Sequence, residues 1–170
     1  AYQGGDFLTA LHAFRLLATR GDAHAQLMIG LMYWDGKGVQ KDDDVALFWL
    51  RKAADQGLKD AQRVVGIGYE LGWNGVQDDG EAFKWLQRAA QQGDAQSQES
   101  LGIHYATGHG VTQDYAHAYM WYDIAGSSVV TSEFKAGDRQ LAISFRDELA
   151  AKMTAAQIDA AQDMALKCRQ

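Results

Sequence analysis

Proline is absent from these 170 residues, where average usage would give about 8, and cysteine occurs once, as Cys168. A lone cysteine excludes an internal disulfide and a cysteine-based zinc site. No run of about 18 apolar residues occurs, so no segment reads as a membrane-spanning helix. Basic charge is also scarce: 16 Lys and Arg stand against 22 Asp and Glu, for a net charge of −6. Nucleic-acid binding needs clustered Lys and Arg to neutralise phosphates, so no nucleic-acid partner is expected. Glycine is the surplus residue, with 18 where about 12 would be average. A chain that is 47% hydrophobic and 11% aromatic is neither disordered nor collagen-like. Its length suits one soluble domain.

The glycines recur. Gly21, Gly57 and Gly93 lie 36 apart, as do Gly30, Gly66 and Gly102, Gly36, Gly72 and Gly108, Tyr33, Tyr69 and Tyr105, and Trp49, Trp85 and Trp121. A fixed period in this range marks a solenoid of stacked units. Three units follow, 21–56, 57–92 and 93–128, within a single domain spanning 1–170 that has a half-repeat cap at 1–20 and a helical cap at 129–170. The second unit carries one extra turn residue (Gly72-Trp73-Asn74-Gly75-Val76 against Gly36-Lys37-Gly38-Val39) and recovers register by Ala82. Each unit reads as two helices, Ala23–Trp34 and about Asp44–Gln56 in the first, separated by glycines that reach positive φ cheaply. Asp22 is placed as an N-cap, and Asp42 to Asp44, Asp78, Asp79 and Asp114 crowd the starts of the second helices, where carboxylates accept orphan N–H groups. The expected fold is therefore all-α, a right-handed α-solenoid of antiparallel helix pairs.

A mid-helix glycine costs about 1 kcal/mol relative to alanine. Gly30, Gly66 and Gly102 sit there because the helices of a pair approach closely, with Ala53-Ala54, Ala89-Ala90 and Ala125-Gly126 opposite; Gly66→Leu is expected to overpack that contact. In the first unit Ala25, Ile29 and Tyr33 form a stripe that meets Ala46, Trp49, Leu50 and Ala53. At the N-terminus, Asp6–Thr19 reads as a second-type helix with Ala10, Phe14 and Ala18 in register with Ala46, Leu50 and Ala54. After a polar break at Ser127–Ser132, a helix near Glu133–Lys152 carries Leu141, Phe145 and Leu149 on one stripe, with Gly137 weakening its start. Thr154 and Gln157 then form a capping box. It opens a last helix whose Ile158, Ala161, Ala165 and Cys168 share a face, which places Cys168 in the buried cap.

These residues resemble the Sel-one-like repeat family, a relative of the tetratricopeptide repeats with a longer turn. The resemblance rests on Gly21-Asp22-Ala23, Ala25-Gln26, Ile29-Gly30, Tyr33, Gly36-x-Gly38-Val39, Ala46, Trp49 and Ala53-Ala54. The third unit repeats it through Gly93-Asp94-Ala95, Gln98, Leu101-Gly102, Tyr105, Gly108-x-Gly110-Val111, Gln113-Asp114-Tyr115, Ala118 and Trp121. Tyr2-x-x-Gly5-Asp6-Phe7 through Ala18 looks like the opening half-repeat of bacterial members, and Met153–Ile158 like their closing helix. Members often carry proline after the turn valine and in the last helix, where this chain has Gln40, Gln77, Thr112 and Ala155. The resemblance implies a bacterial adaptor of the kind used in envelope assembly, signalling and host interaction. The Ala1-Tyr2 start resembles a mature exported form, so an exported or periplasmic location is expected, with a cytoplasmic one as the alternative.

No nucleophile with a plausible base, no phosphate-cradling loop and no zinc-binding helix motif is present, so no enzyme, cofactor or metal is expected. The cluster His104, His109, Asp114 and His117 has ligand chemistry, but reads as a groove residue (His104), a turn residue (His109) and a solvated side chain (His117). What remains is a concave groove lined by the first helices, which binds an extended protein or peptide. Its candidate residues are the positions that vary between units: His24, Leu27, Met28, Leu31 and Trp34; Asp60, Arg63, Val64, Ile67 and Glu70; Gln96, Glu99, Ser100, Ile103 and Ala106. Leu27 and Leu31 either pack on the N-terminal helix or face the partner. Residues 1–126 hold 10 basic and 16 acidic side chains and the rest 6 and 6, favouring a basic or amphipathic partner. A monomer is expected. A cell-wall or polysaccharide ligand stacked on Trp34, Trp73 and Tyr115 is an alternative. A β-lactam-recognising hydrolase is a third, disfavoured because relatives of that kind carry paired cysteines in each repeat.

Overall fold

The computed structural model describes residues 7–75 and 77–169; the placements made above for residues 1–6 and for Val76 lie outside them. The described chain folds as α1 (Phe7–Ala18), α2 (Ala23–Asp35), α3 (Asp43–Asp55), α4 (Lys59–Glu70), a 3₁₀ turn at Trp73–Gly75, α5 (Asp79–Gln91), α6 (Ala95–Thr107), α7 (Tyr115–Gly126), α8 (Ala136–Ala150) and α9 (Ala155–Cys168), with no strand among the described residues. Its packing falls into two units, Ala1–Asp78 and Asp79–Gln170.

In the first unit, Asp22 accepts the Ala25 N–H at 2.7 Å and Asp42 that of Val45 at 2.9 Å, starting α2 and α3. Gly36 ends α2 in the left-handed region at φ 67°, its N–H bonded to the Met32 carbonyl. α2 and α3 lie closely against each other at Gly30, where an added Cβ would sit 2.5 Å from Leu50 Cγ. Leu11, Ala18, Ala25, Ile29 and Met32 form one buried cluster, flanked by Phe7, Phe14, Tyr33, Val39 and Trp49. The extra turn residue has a visible result: Trp73 is buried against Gly68 of α4 and its ring lies 4.8 Å from that of Trp34.

The second unit repeats the plan. Asp94 caps α6 and Asp114 caps α7, the latter accepting from the Ala116 and His117 N–H groups at 2.9 and 3.1 Å. Gly102 faces the Tyr122 ring and Gly126 faces Ile143 of α8. α8 is shorter than expected, and its buried stripe is Ala142, Phe145 and Leu149 rather than one that includes Leu141, which is 46% exposed. The small Ala142 fits against Ala118, Tyr122 and Ala125, where a leucine would hold α8 off α7. Phe134, expected in the first turn of this helix, instead precedes it, is 2% exposed and joins this core.

Three glutamines 36 apart serve one purpose. The amides of Gln26, Gln62 and Gln98, all buried, donate to the carbonyls of Ala18, Ala54 and Ala90 at 3.1, 3.1 and 3.2 Å. Each adds a second hydrogen bond to a carbonyl that also accepts the Gly21, Gly57 or Gly93 N–H, tying the start of one helix to the end of the preceding one. The tyrosine period has a backbone role as well: the N–H groups of Asp42, Asp78 and Asp114 donate to the carbonyls of Tyr33, Tyr69 and Tyr105.

α9 opens with the expected capping box, the Thr154 N–H donating to Gln157 Oε1 at 2.8 Å and the Gln157 N–H to Thr154 Oγ1 at 3.3 Å. Ala155 is the first helical residue, where proline fits and restricts the unfolded chain. Ala155→Pro is therefore expected to stabilise by about 0.4–1 kcal/mol in urea unfolding; a loss would contradict this helix start.

Candidate functional site

The candidate groove residues all lie on first helices: His24 to Trp34 on α2, Asp60 to Glu70 on α4 and Gln96 to Ala106 on α6. On α2, His24 is exposed, Met28, Leu31 and Trp34 are half-buried, and Leu27 is buried and offers little surface. On α4, Asp60, Arg63, Ile67 and Glu70 are half-buried, whereas Val64 is buried. Trp34 is committed to Trp73 on one ring face.

On α6, Ile103 is exposed and Gln96, Glu99, Ser100 and Ala106 are half-buried. The segment after α7 reaches over the start of this helix: the Gln96 amide donates to the Glu133 carbonyl at 2.9 Å and the Ser128 hydroxyl to Gln98 Oε1 at 3.2 Å. Burial and then the charge of Asp138 raise the Glu99 carboxyl above its ordinary range. Burial, with the charges of Glu99 and Glu148, likewise pushes the Tyr122 hydroxyl far up. Ser97 is fully buried and its hydroxyl has no partner, although Ala25 and Ala61 occupy the same register position. Ser97→Ala removes that desolvated hydroxyl and is expected to stabilise by about 1 kcal/mol in chemical denaturation.

His104 and His117 differ from their sequence assignment, while His109 lies in the turn after α6 as expected. His104 is 3% exposed, not a groove residue; its Nδ1–H donates to the His109 carbonyl at 2.6 Å, and Phe83 meets its ring edge-on. His117 is half-buried, stacked on Tyr105 with ring centroids 5.0 Å apart, and bonded through Nδ1 to Asp114 Oδ2 at 2.7 Å. Burial raises the Asp114 carboxyl, but hydrogen bonds from His117 and Ala116 outweigh it and leave this group below its usual value. Asp114 and His117 thus close a helix start. No group of three or more His, Cys, Asp or Glu side chains converges among the described residues.

Two further assignments are corrected. Cys168 is exposed: Ala161 and Ala165 fill the buried face of α9, and Cys168, in its last turn, only grazes Met120 with sulfurs 4.0 Å apart. Trp73, offered above as a sugar platform, is 6% exposed. A pocket of about 320 Å³ opens between the end of α5, α7 and α9, floored by Trp121 and Ile124 and rimmed by Cys168 and Arg169. Two of its polar groups are already engaged, Gln98 with Ala90 and Arg169 with Asp123. Asp123 was not singled out from the sequence, yet it binds Arg146 of α8 and, beyond the end of α9, Arg169.

Helix pairs recurring every 36 residues, joined by glycine turns and tied by buried glutamines, define an all-α helical-repeat protein of the tetratricopeptide-like solenoid class. The Sel1 repeat model matches residues 23–58, 59–94 and 95–128, and the chain belongs to the Sel1 repeat family. A protective antigen of uropathogenic Escherichia coli with an SLR fold is 30% identical over 93% of this chain, with a TM-score of 0.79. This chain spans about a third of that protein, 32% of its length. A Sel1 repeat protein from Oxalobacter formigenes is 32% identical over 79% of this chain and 97% of its own, with a TM-score of 0.67. No curated protein sequence matches. Proteins of this family are generally protein-interaction scaffolds, and the fold is typically non-enzymatic. No helix among the described residues is long and apolar enough to cross a membrane.

Proposed function

We propose that this chain is a non-enzymatic adaptor that binds a protein or peptide through the exposed side chains of its first helices. The observation that carries this reading is the division of labour along α2 and α4. Positions that recur at 36 residues are spent on packing, as with Ala25, Ile29, Ala61 and Val65, while the intervening Met28, Leu31 and Ile67 vary and stay partly accessible. Methionine and branched aliphatic side chains on a rigid helix supply anchor area at small ordering cost. The excess of acidic groups on residues 1–126 suits a basic or amphipathic partner.

Crosslinking pull-downs with the parent chain and with Leu31→Glu and Ile67→Glu variants test it. The variants are expected to lose a defined protein set while keeping the helical circular dichroism of the parent. Retention of the whole set by both would reject first-helix binding, and enrichment of glycans alone would favour a polysaccharide ligand.

A further inference from the structure

The chain docks one of its own helices in a way that reveals a second seat. α9 lies on α7 with Ala161 and Ala165 fully buried, Ala165 clustering with Met120, Trp121 and Ile124. Its Gln162 amide donates to the Tyr119 hydroxyl at 3.3 Å, and Arg169 binds the Asp123 carboxylate and carbonyl. The seat is therefore the outer face of a second helix, read by Tyr119, Met120, Asp123 and Ile124. Two repeats earlier, 72 residues back, the same positions on α3 are Leu47, Phe48, Arg51 and Lys52. In the first unit these four, with Asp44 and Asp55, line an open pocket of about 380 Å³.

The difference between the two faces is cover. Met120 and Ile124 are 4% and 8% exposed, whereas Phe48 is 53% exposed, with the Lys52 ammonium 4.6 Å from its ring centre. Arg51 donates to the Tyr69 hydroxyl at 3.2 Å, and among the described residues neither Arg51 nor Lys52 forms an ion pair. The counterpart face on α5 is Phe83, Lys84, Gln87 and Arg88; there Phe83 is turned edge-on to His104 and Tyr105, and Lys84 is paired with Glu81. Only α3 of these second helices combines the exposed aromatic with two cations that lack a carboxylate.

We propose that the outer face of α3 seats an amphipathic helix of a partner protein, one with small residues on its docking face, as α9 has, and a carboxylate where α9 carries Arg169. The charge follows from the exchange of Asp123 for Arg51 and of Ile124 for Lys52. The apolar character further up the helix follows from Leu47 in place of the Tyr119 hydroxyl that Gln162 meets. Asp44 and Asp55 stand about one turn beyond the seat at either end and oppose a carboxylate placed out of register. This surface is separate from the first-helix binding proposed above, and each can fail without the other.

The probe is a labelled peptide of residues 154–170 carrying Gln162→Leu and Arg169→Glu, held helical by a side-chain crosslink between positions 159 and 163, both exposed on α9. Fluorescence polarisation with the whole protein is expected to give saturable binding, about tenfold tighter than for the same crosslinked peptide with Gln162 and Arg169 retained. Arg51→Glu in the protein should reverse that preference, and Phe48→Ala should weaken the modified peptide about tenfold. Both sites are exposed, and thermal melts matching the parent will confirm folding. Absence of binding, equal affinity for the two peptides, or indifference to Arg51→Glu and Phe48→Ala would overturn the proposal; the last is what a peptide displacing α9 from α7 would give. A dimer in sedimentation without peptide that Phe48→Ala dissolves would also overturn it, assigning the seat to a second copy.

Discussion

Gly110→Ala is expected to destabilise the protein by about 3–5 kcal/mol, adding a left-handed backbone penalty to a backbone clash. Gly110 has φ 68°, and an added Cβ would fall within contact distance of the Asp79 carbonyl and 2.9 Å from the Gly80 N. Those atoms belong to the start of α5, where the backbone cannot step aside without unwinding the helix. Gly38 has the same arrangement in the first unit, with Phe7 Cβ 2.5 Å from the added carbon at the start of α1. At Gly38 and Gly110 the turn thus lies against the first residues of the preceding second-type helix, whereas Gly75, in the turn with the extra residue, has nothing within 4 Å of an added Cβ. Gly93→Ala supplies the control: its φ is 82° and nothing lies within 4 Å of an added Cβ, so only the conformational penalty of about 1 kcal/mol applies. Urea unfolding of both variants separates the two contributions, and equal losses would show that the turn contact carries no energy.

The second large effect is at Gly102. An added Cβ would stand 2.5 Å from Tyr122 Cε1, and that ring is 3% exposed and packed against Phe145. Helix propensity alone would favour alanine by about 1 kcal/mol, but overpacking an immobile ring costs about 1–3 kcal/mol, so Gly102→Ala is expected to be net destabilising. Gly102→Leu should cost several kcal/mol, to the point of unfolding at ambient temperature in a marginally stable domain. The opposite sign is expected at Gly137 in the first turn of α8, where nothing lies within 4 Å; alanine there should stabilise by up to about 1 kcal/mol. Tyr122→Leu in the Gly102→Ala background should recover part of the loss, read as a coupling in a double-mutant cycle. A stabilising Gly102→Ala would show that α6 and α7 do not approach as described.

The helix pairs, their caps and their turns were legible in the sequence because each is set by local chemistry. Asp22 and Asp94, and Asp42 and Asp114, each pair 72 apart, stand where N–H groups need acceptors, although Leu58 at the start of α4 supplies no such cap, and glycines stand where φ is positive. The close helix approach at Gly30 and Gly102 was legible too, since a costly mid-helix glycine repeated three times needs a packing reason, but its partners were not: Leu50 and Tyr122, rather than Ala53-Ala54 and Ala125-Gly126, fill the space beside these glycines. The register of α8 was not. Leu141 and Ala142 are neighbours, and hydrophobicity prefers the leucine, but the gap left by Ala118 and Ala125 admits only the smaller side chain. Trp73 and Cys168 were misplaced for related reasons: the turn insertion swings an aromatic onto Gly68, and Cys168, in the last turn of α9, touches α7 only at Met120 and stays exposed.

The buried glutamines lie between these cases. Their period was in the sequence, but a polar residue at a fixed position does not reveal whether it faces water, a ligand or a backbone carbonyl. Only the fold brings Ala18, Ala54 and Ala90 to within hydrogen-bond distance. The candidate surfaces divide in the same way. The sequence by itself determined the family, the helix pairs and the positions that vary between repeats, because periodicity and backbone chemistry are local. Which variable side chains remain accessible, and that α9 covers one second helix while the equivalent face of α3 stays open, was decided by tertiary packing alone. Exposure depends on what else in the chain reaches a residue, and that is a property of no single repeat.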